Sequence, residues 1–442
     1  MRRMTFTWLF LASILGVLAC RTTPPSGGSS GIKDTADASP PTTSMPAVQT
    51  RDQQPVPVAH LSDGIPPTPV CDASQPLALN AECKSPDEDA LNGKITAAAV
   101  GFQSFQNPKP DAAHPGTDPL SKRDFHPKST ACVAAFFDVL PGLAADLRQG
   151  VFAAGGAASG FKYRAVIRYS NGSPAIKADG TLGINKDGEP DARAMAVKLV
   201  GVSGTPLLST APTSPGTATQ DFMLTDFPVF FLRNINSAIK FFPGLLNGTA
   251  AANLDPHELA NLVGGRKVIA DIFNETYWSQ GPYRFGAAAA KYQVRPVACD
   301  APLLGRAPGA TETDFLRQNA SDRLATGSVC FDFFVQRQSD AVATPVEDTT
   351  IEWLEADAPP VKIARITIPK GQDVLSAERQ QFCENLSFSP WNGIVEHRPL
   401  GSINRIRLTA YSGISTKRRM ENQVPIGEPT GNEDFFSVLT QN

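Results

Sequence analysis

The chain has 442 residues, with 40 Lys+Arg against 43 Asp+Glu, a net charge of −3 and only 19% charged residues. This near balance excludes a nucleic-acid binder that works by bulk positive charge, and equally an acidic disordered tail. Hydrophobic residues at 41% suit a globular chain, and 38 prolines imply long loops or linkers.

The first element is an export leader over residues 1–19. Arg2 and Arg3 form a basic start, and Phe6 to Leu18 is apolar, long enough for a signal peptide and short for a membrane span. It ends Val17-Leu18-Ala19-Cys20, a small residue followed by Cys, which resembles a bacterial lipobox with Cys20 as the lipidated first residue. Ordinary cleavage with Cys20 incidental is the competing reading. Residues 20–69 are rich in Pro, Ser, Thr, Asp and Gly without apolar periodicity, so they are expected to be a disordered tether. A lipid on Cys20 and this tether would hold the folded part, residues 70–442, against a membrane on the exported side of the cell envelope. Six further cysteines, Cys71, Cys83, Cys132, Cys299, Cys330 and Cys383, show no C-x-x-C spacing. Disulfides are therefore expected rather than a metal cluster, with Cys71–Cys83 the natural local pair and the others open.

The folded part reads as strands first and helices later. Strands are predicted at Thr130–Val139, Lys162–Ser170, Ala192–Val202, Phe227–Arg233, Ser328–Gln336 and Val361–Ile368, parted by Gly, Pro and Asn as in antiparallel sheets. Along the second, Tyr163, Ala165, Ile167 and Tyr169 share one face and Arg164, Val166, Arg168 and Ser170 the other. Helices are predicted at Pro256–Val263, with Asp255 as N-cap, near Ser376–Leu386, and from Ser402 to about Glu421. Many short strands suggest a barrel or sandwich, and no internal repeat is visible.

No Walker loop, G-x-G-x-x-G after a strand, H-E-x-x-H or G-x-S-x-G is present. Of five histidines, His60 falls in the tether, His114 in a Pro-rich loop and His257 in a helix first turn where solvent is expected. His126, in Arg123-Asp124-Phe125-His126 just ahead of the first strand, could be a plain loop residue. On the last helix Arg407, Tyr411 and Arg418 stand at i, i+4 and i+11, on one face. An arginine one turn before a tyrosine favours the phenolate by charge and hydrogen bonding, and a phenolate can ligate ferric heme. Taken alone, a basic amphipathic helix with Tyr411 in the core is the simpler reading.

Taken together, the pieces between about residues 120 and 420 resemble the heme catalase superfamily, in particular its divergent bacterial catalase-related branch. Arg123 and His126 match the distal Arg-x-x-His, and Arg168-Tyr169-Ser170 matches Arg-Phe-Ser. Asp191-Ala192-Arg193-Ala194-Met195-Ala196-Val197-Lys198 is similar to Asp-x-Arg-Gly-x-Ala-x-Lys. Pro228-Val229-Phe230-Phe231-Leu232-Arg233 matches Pro-x-Phe-Phe-x-Arg, and Arg407 with Tyr411 the proximal Arg-x-x-x-Tyr, with Arg418 beyond.

The resemblance implies an α+β fold: a catalase-like antiparallel β-barrel with flanking and C-terminal helices that bind heme b. It implies Tyr411 as iron ligand with Arg407 its charge partner, and Arg123, Arg168 and Arg418 on the propionates. It further implies His126 as distal acid–base, oriented by Ser170, and a peroxide as substrate. Thr225 falls where catalases carry a distal Asn, which favours organic hydroperoxides over efficient hydrogen peroxide dismutation. A lipid-hydroperoxide-converting heme enzyme, of the allene-oxide-synthase kind, and a non-catalytic surface module that keeps the barrel are the alternatives.

Overall fold

The computed structural model describes residues 59–72, 74–106, 120–123, 125–172, 186–209, 216, 218–300, 307–309, 311–425 and 427–440. The leader, Cys20, the tether up to residue 58 and His114 lie outside the described residues. Residues 59–69, placed in the tether by composition, include a short docked stretch: Ser62 N donates to Leu207 O at 2.8 Å and Ser209 N to His60 O at 3.0 Å.

Nine strands are described: β1 Ser129–Val139, β2 Phe161–Asn171, β3 Arg193–Val202, β4 Ala218–Thr225, β5 Tyr277–Trp278, β6 Tyr283–Phe285, β7 Ala288–Val297, β8 Val329–Arg337 and β9 Val361–Ile368. They pair antiparallel in the order β5-β4-β3-β2-β1-β9-β8-β7-β6, and β5 also pairs with β7. That last pairing closes an eight-stranded barrel, with β6 alongside β7. Closure removes the exposed edges of an open sheet.

The alternation read from the sequence sets the two faces. Ala165, Ile167 and Tyr169 of β2, with Val133, Ala135 and Phe137 of β1, point into one buried cluster. Aromatic rings fill its centre: Phe222 packs edge-on against Tyr292 with centroids 4.8 Å apart, and Phe333 lies 5.0 Å from both Phe137 and Phe222. His397 shares this core. Its Nε2 accepts from Val151 N at 3.0 Å, and its Nδ1 lies 3.0 Å from the Tyr292 hydroxyl. Burial lowers its pKa to about 3, so it is a neutral packing residue with its proton on Nδ1.

Six α-helices are described: α1 Glu88–Gln106, α2 Ile235–Asn247, α3 Pro256–Gly264, α4 Phe315–Thr326, α5 Ala377–Asn385 and α6 Ser402–Glu421. Asp255 caps α3, as the sequence predicts, and the structure adds a capping box with Glu258. Helix α1 precedes every strand, so strands-first order is corrected. Phe227–Arg233 is also corrected: it is no strand but the irregular run between β4 and α2. Pro228 cannot donate to a ladder, and Phe231 packs instead on Phe241 of α2 at 4.9 Å.

The outer face of β1–β3 is covered too. Cys132, Ala134, Val166, Ala196 and Val200 pack under Leu386, Phe388, Phe435 and Phe436. The C-terminal segment is clasped there by buried Lys198, whose Nζ lies 2.6 Å from Asp221 Oδ1 and 2.5 Å from Glu428 Oε2. At the start of α6, Arg405 ion-pairs with Glu82, Glu88 and Glu347, which fixes that helix to the N-terminal arm. Disulfides join Cys71–Cys83, the expected local pair, Cys132–Cys383 and Cys299–Cys330.

Candidate active site

One rim of the barrel gathers the distal pieces. In the β1–β2 ladder Ser129 stands opposite Ser170 and Cys132 opposite Arg168. Beyond Ser129 the chain stays on the end of β2: Asn171 N donates to Lys128 O at 2.9 Å and His126 N to Gly172 O at 3.1 Å. To make this turn His126 adopts φ +56°, a left-handed conformation uncommon for a residue with a side chain. Such strain persists where surrounding contacts enforce it, often at functional sites. The turn sets His126 Nδ1 3.4 Å from Ser170 Oγ, so the sequence-predicted pair is brought together.

Burial lowers the His126 pKa to about 4. Arg168, Arg407 and Arg193 oppose a proton there as well, while Asp191 partly offsets them. The imidazole is therefore neutral at neutral pH and free to accept a proton. Neither Asp191 nor Arg193 was singled out from sequence for this role.

Three of the sequence-predicted arginines converge on the C-terminal turn of α5. Arg123 donates to Cys383 O at 2.9 Å, Glu384 O at 3.3 Å and Leu386 O at 2.6 Å. Arg418 donates to Glu384 O and to Leu386 O, the latter at 3.0 Å. The Glu384 carboxylate lies 3.4 Å from Arg123 Nε and 3.6 Å from Arg168 Nη2. Burial pulls Arg168 and Arg418 down to about 9, with Arg123 repelling both. Burial pushes Glu384 up, but Arg123, Arg168 and Arg418 outweigh it and hold the carboxyl below its usual range. Two guanidiniums thus share the Glu384 carboxylate, and a third, from Arg418, lies on the carbonyls of the same turn. The Nε atoms of Arg123 and Arg168 are buried without a hydrogen-bond partner. Glu384 escaped the sequence reading because an acidic residue near a helix end carries no periodic signal.

Helix α6 faces this rim. Arg407 is felt electrostatically at His126. Gln103 of α1 donates to Ile414 O of α6 at 3.3 Å and reaches Lys122 O at 3.5 Å. Arg407 gives its hydrogen bond to Asn404 Oδ1 at 3.2 Å and lies over the Phe230 ring at 5.2 Å, rather than bonding Tyr411. Tyr411 is half-buried on the same helix. Both residues act electrostatically on buried Tyr283 of β6, which the sequence reading missed.

Thr225 stands in the same row of the sheet as Ser170, through Ala194 of β3. Two strand spacings put their backbones about 10 Å apart. The Thr225 hydroxyl donates to Phe227 O at 3.3 Å, within its own turn. The neighbouring Asp226 is buried: its Oδ1 accepts from Arg193 N at 2.8 Å, and its Oδ2 lies 3.6 Å from Lys267 Nζ. Burial raises its carboxyl to about 6.

No family model and no curated protein matches the sequence. Solved structures do. A fungal catalase aligns at 16% identity and a TM-score of 0.51, over 70% of this chain and 62% of its own. Catalase A from Saccharomyces cerevisiae aligns at 14% identity and a TM-score of 0.49, over 84% and 73%. A bacterial catalase aligns at 14% identity and a TM-score of 0.44, over 71% and 59%. This chain thus spans less than two thirds of the fungal catalase. That likeness, with the closed antiparallel barrel and its flanking helices, establishes a catalase-like α+β fold.

Proposed function

We propose that the chain is a heme-dependent hydroperoxidase of the divergent bacterial catalase-related kind, acting on hydrogen peroxide or organic hydroperoxides. One observation carries this reading: Arg123 and Arg168 pair with the one buried carboxylate of Glu384 while Arg418 is held by the carbonyls of the same turn, so buried cations outnumber carboxylates here. The propionates of heme b would bring negative charge to such a cluster. The Nε of Arg168 is a buried donor without a hydrogen-bond partner, which such a ligand would satisfy. Tyr411, on the helix that carries Arg418, would supply the iron ligand.

Heme, when bound, supplies the redox equivalents that break a peroxide O–O bond. The residues of the chain handle the proton. His126 is neutral and directs Nδ1 towards Ser170, which leaves Nε2 to take the proton from one peroxide oxygen and return it to the other. Ser170 fixes the ring orientation. Burial, helped by Arg168 and Arg407, keeps His126 from holding a proton at rest.

The Thr225 hydroxyl, committed to Phe227 O, supports preference for an organic hydroperoxide. An amide at this position would offer both a donor and an acceptor to hydrogen peroxide. Export and a lipid anchor at Cys20 belong to the same proposal, supported by the leader composition and by three disulfides in the described residues.

The test is turnover of hydrogen peroxide and of cumene hydroperoxide by the chain reconstituted with hemin. His126→Ala is expected to keep the heme and lose roughly 100-fold or more in rate. A wild-type holo-protein no faster than free hemin overturns the reading.

A further inference from the structure

Helix α5 ends at Asn385, and its last carbonyls have no partners inside the helix. Cys383 O accepts from Leu386 N at the cap, and four consecutive carbonyls, from Cys383, Glu384, Asn385 and Leu386, accept from the guanidiniums of Arg123, Arg418 and Arg419. These carbonyls are the negative end of the helix dipole, so cations collect there. The position of the arginines therefore depends on the position of this one turn.

What holds the turn is Cys383 itself. It is fully buried and disulfide-bonded to Cys132 of β1, with Cα atoms 6.1 Å apart across 251 residues of sequence. Cys132 is also the direct cross-strand partner of Arg168. One covalent link thus ties the acceptor turn for Arg123 and Arg418 to the strand position beside Arg168. The carbonyls set where the guanidiniums sit, and the Glu384 carboxylate sets how much of their charge is neutralised.

We propose that the Cys132–Cys383 disulfide is a positioning device that builds Arg123, Arg168 and Arg418 into a seat for a dianionic ligand, with Glu384 as its internal counter-charge. The inference rests on the heme reading for the identity of the dianion. The seat is complete only in the disulfide-bonded chain.

The experiment compares binding of hemin and of hemin dimethyl ester, whose propionates carry no charge, to the full chain. The oxidised wild type is expected to prefer hemin by at least roughly 100-fold, the lower end of what two charge-assisted hydrogen bonds supply. The Cys132→Ala/Cys383→Ala variant is expected to lose about tenfold of that preference while binding the ester as the wild type does. Equal weakening of both ligands would mean a merely structural disulfide and overturn the proposal. Cys132→Val/Cys383→Ala, which refills core volume, serves the same comparison if the alanine pair does not fold.

Glu384→Gln keeps the disulfide and the carbonyl turn, so it is expected to shift the ratio the other way, towards hemin, by several-fold. A fall or no change in that variant also overturns the proposal. A wild type that binds both ligands equally refutes the seat and the propionate argument with it, and leaves heme binding to rest on Tyr411 alone. One that binds neither refutes both.

Discussion

Lowering the pH from 7 to 5.5 separates His126 from an ordinary histidine. With an unperturbed pKa of about 6.5, only about 9% of a histidine is neutral at pH 5.5. With its pKa lowered to about 4 by burial and by Arg168, Arg407 and Arg193, about 97% of His126 stays neutral. A rate that needs the neutral ring should therefore hold nearly level from pH 7 to 5, and halve only near pH 4. The same shift has a stability consequence of defined sign. The folded chain resists a proton that the unfolded chain accepts, so this contribution is intact above pH 6.5. It is lost progressively as pH falls to about 4, by at most about 3 kcal/mol. The assay is hydroperoxide consumption by the hemin-loaded chain across this range, beside ring-proton NMR titration of the five histidines with His126→Gln for assignment. A His126 resonance that titrates near 6.5, or a tenfold loss of rate at pH 5.5, refutes the reasoning.

Phe222→Ala empties the ring stack at the barrel centre and should cost about 3–5 kcal/mol, read as a lower denaturant midpoint. Thr225→Asn should raise hydrogen peroxide dismutation relative to organic hydroperoxide turnover, measured as the ratio of oxygen evolved to cumene hydroperoxide consumed. Cys20→Ser should move the protein from the membrane fraction to the soluble or precursor fraction and abolish incorporation of a fatty-acid probe.

Much of the barrel is legible in the sequence because its strands alternate. Tyr163 to Tyr169 faces inward at every second residue, and β1, β2, β3, β8 and β9 all fall where periodicity puts them. β4 was hidden because both of its faces are buried: Asp221 points outward yet is covered, neutralised by Lys198 rather than by water. β7 was passed over although it alternates cleanly, with Ala290, Tyr292 and Val294 inward and Lys291, Gln293 and Arg295 on the other face. Helix α2 follows an aromatic run that imitates a strand and carries Pro243, so neither its start nor its interior reads as helical. At the candidate site, His126, Ser170 and the three arginines were legible because their motifs keep a fixed order. Glu384 and the Cys132–Cys383 link were not, since each joins segments far apart in sequence. Only the register of β1 on β2 and the docking of α5 bring them together.

The central claim is that this fold holds ferric heme through Tyr411, and a hemin titration followed by absorption spectroscopy tests it most directly. The wild type should saturate at one heme per chain with a shifted, intensified Soret band. Tyr411→Phe, which lacks the phenolic oxygen, should lose that band or bind far more weakly. An unchanged Soret band in Tyr411→Phe would contradict the assignment of the ligand. No band in the wild type would contradict the function.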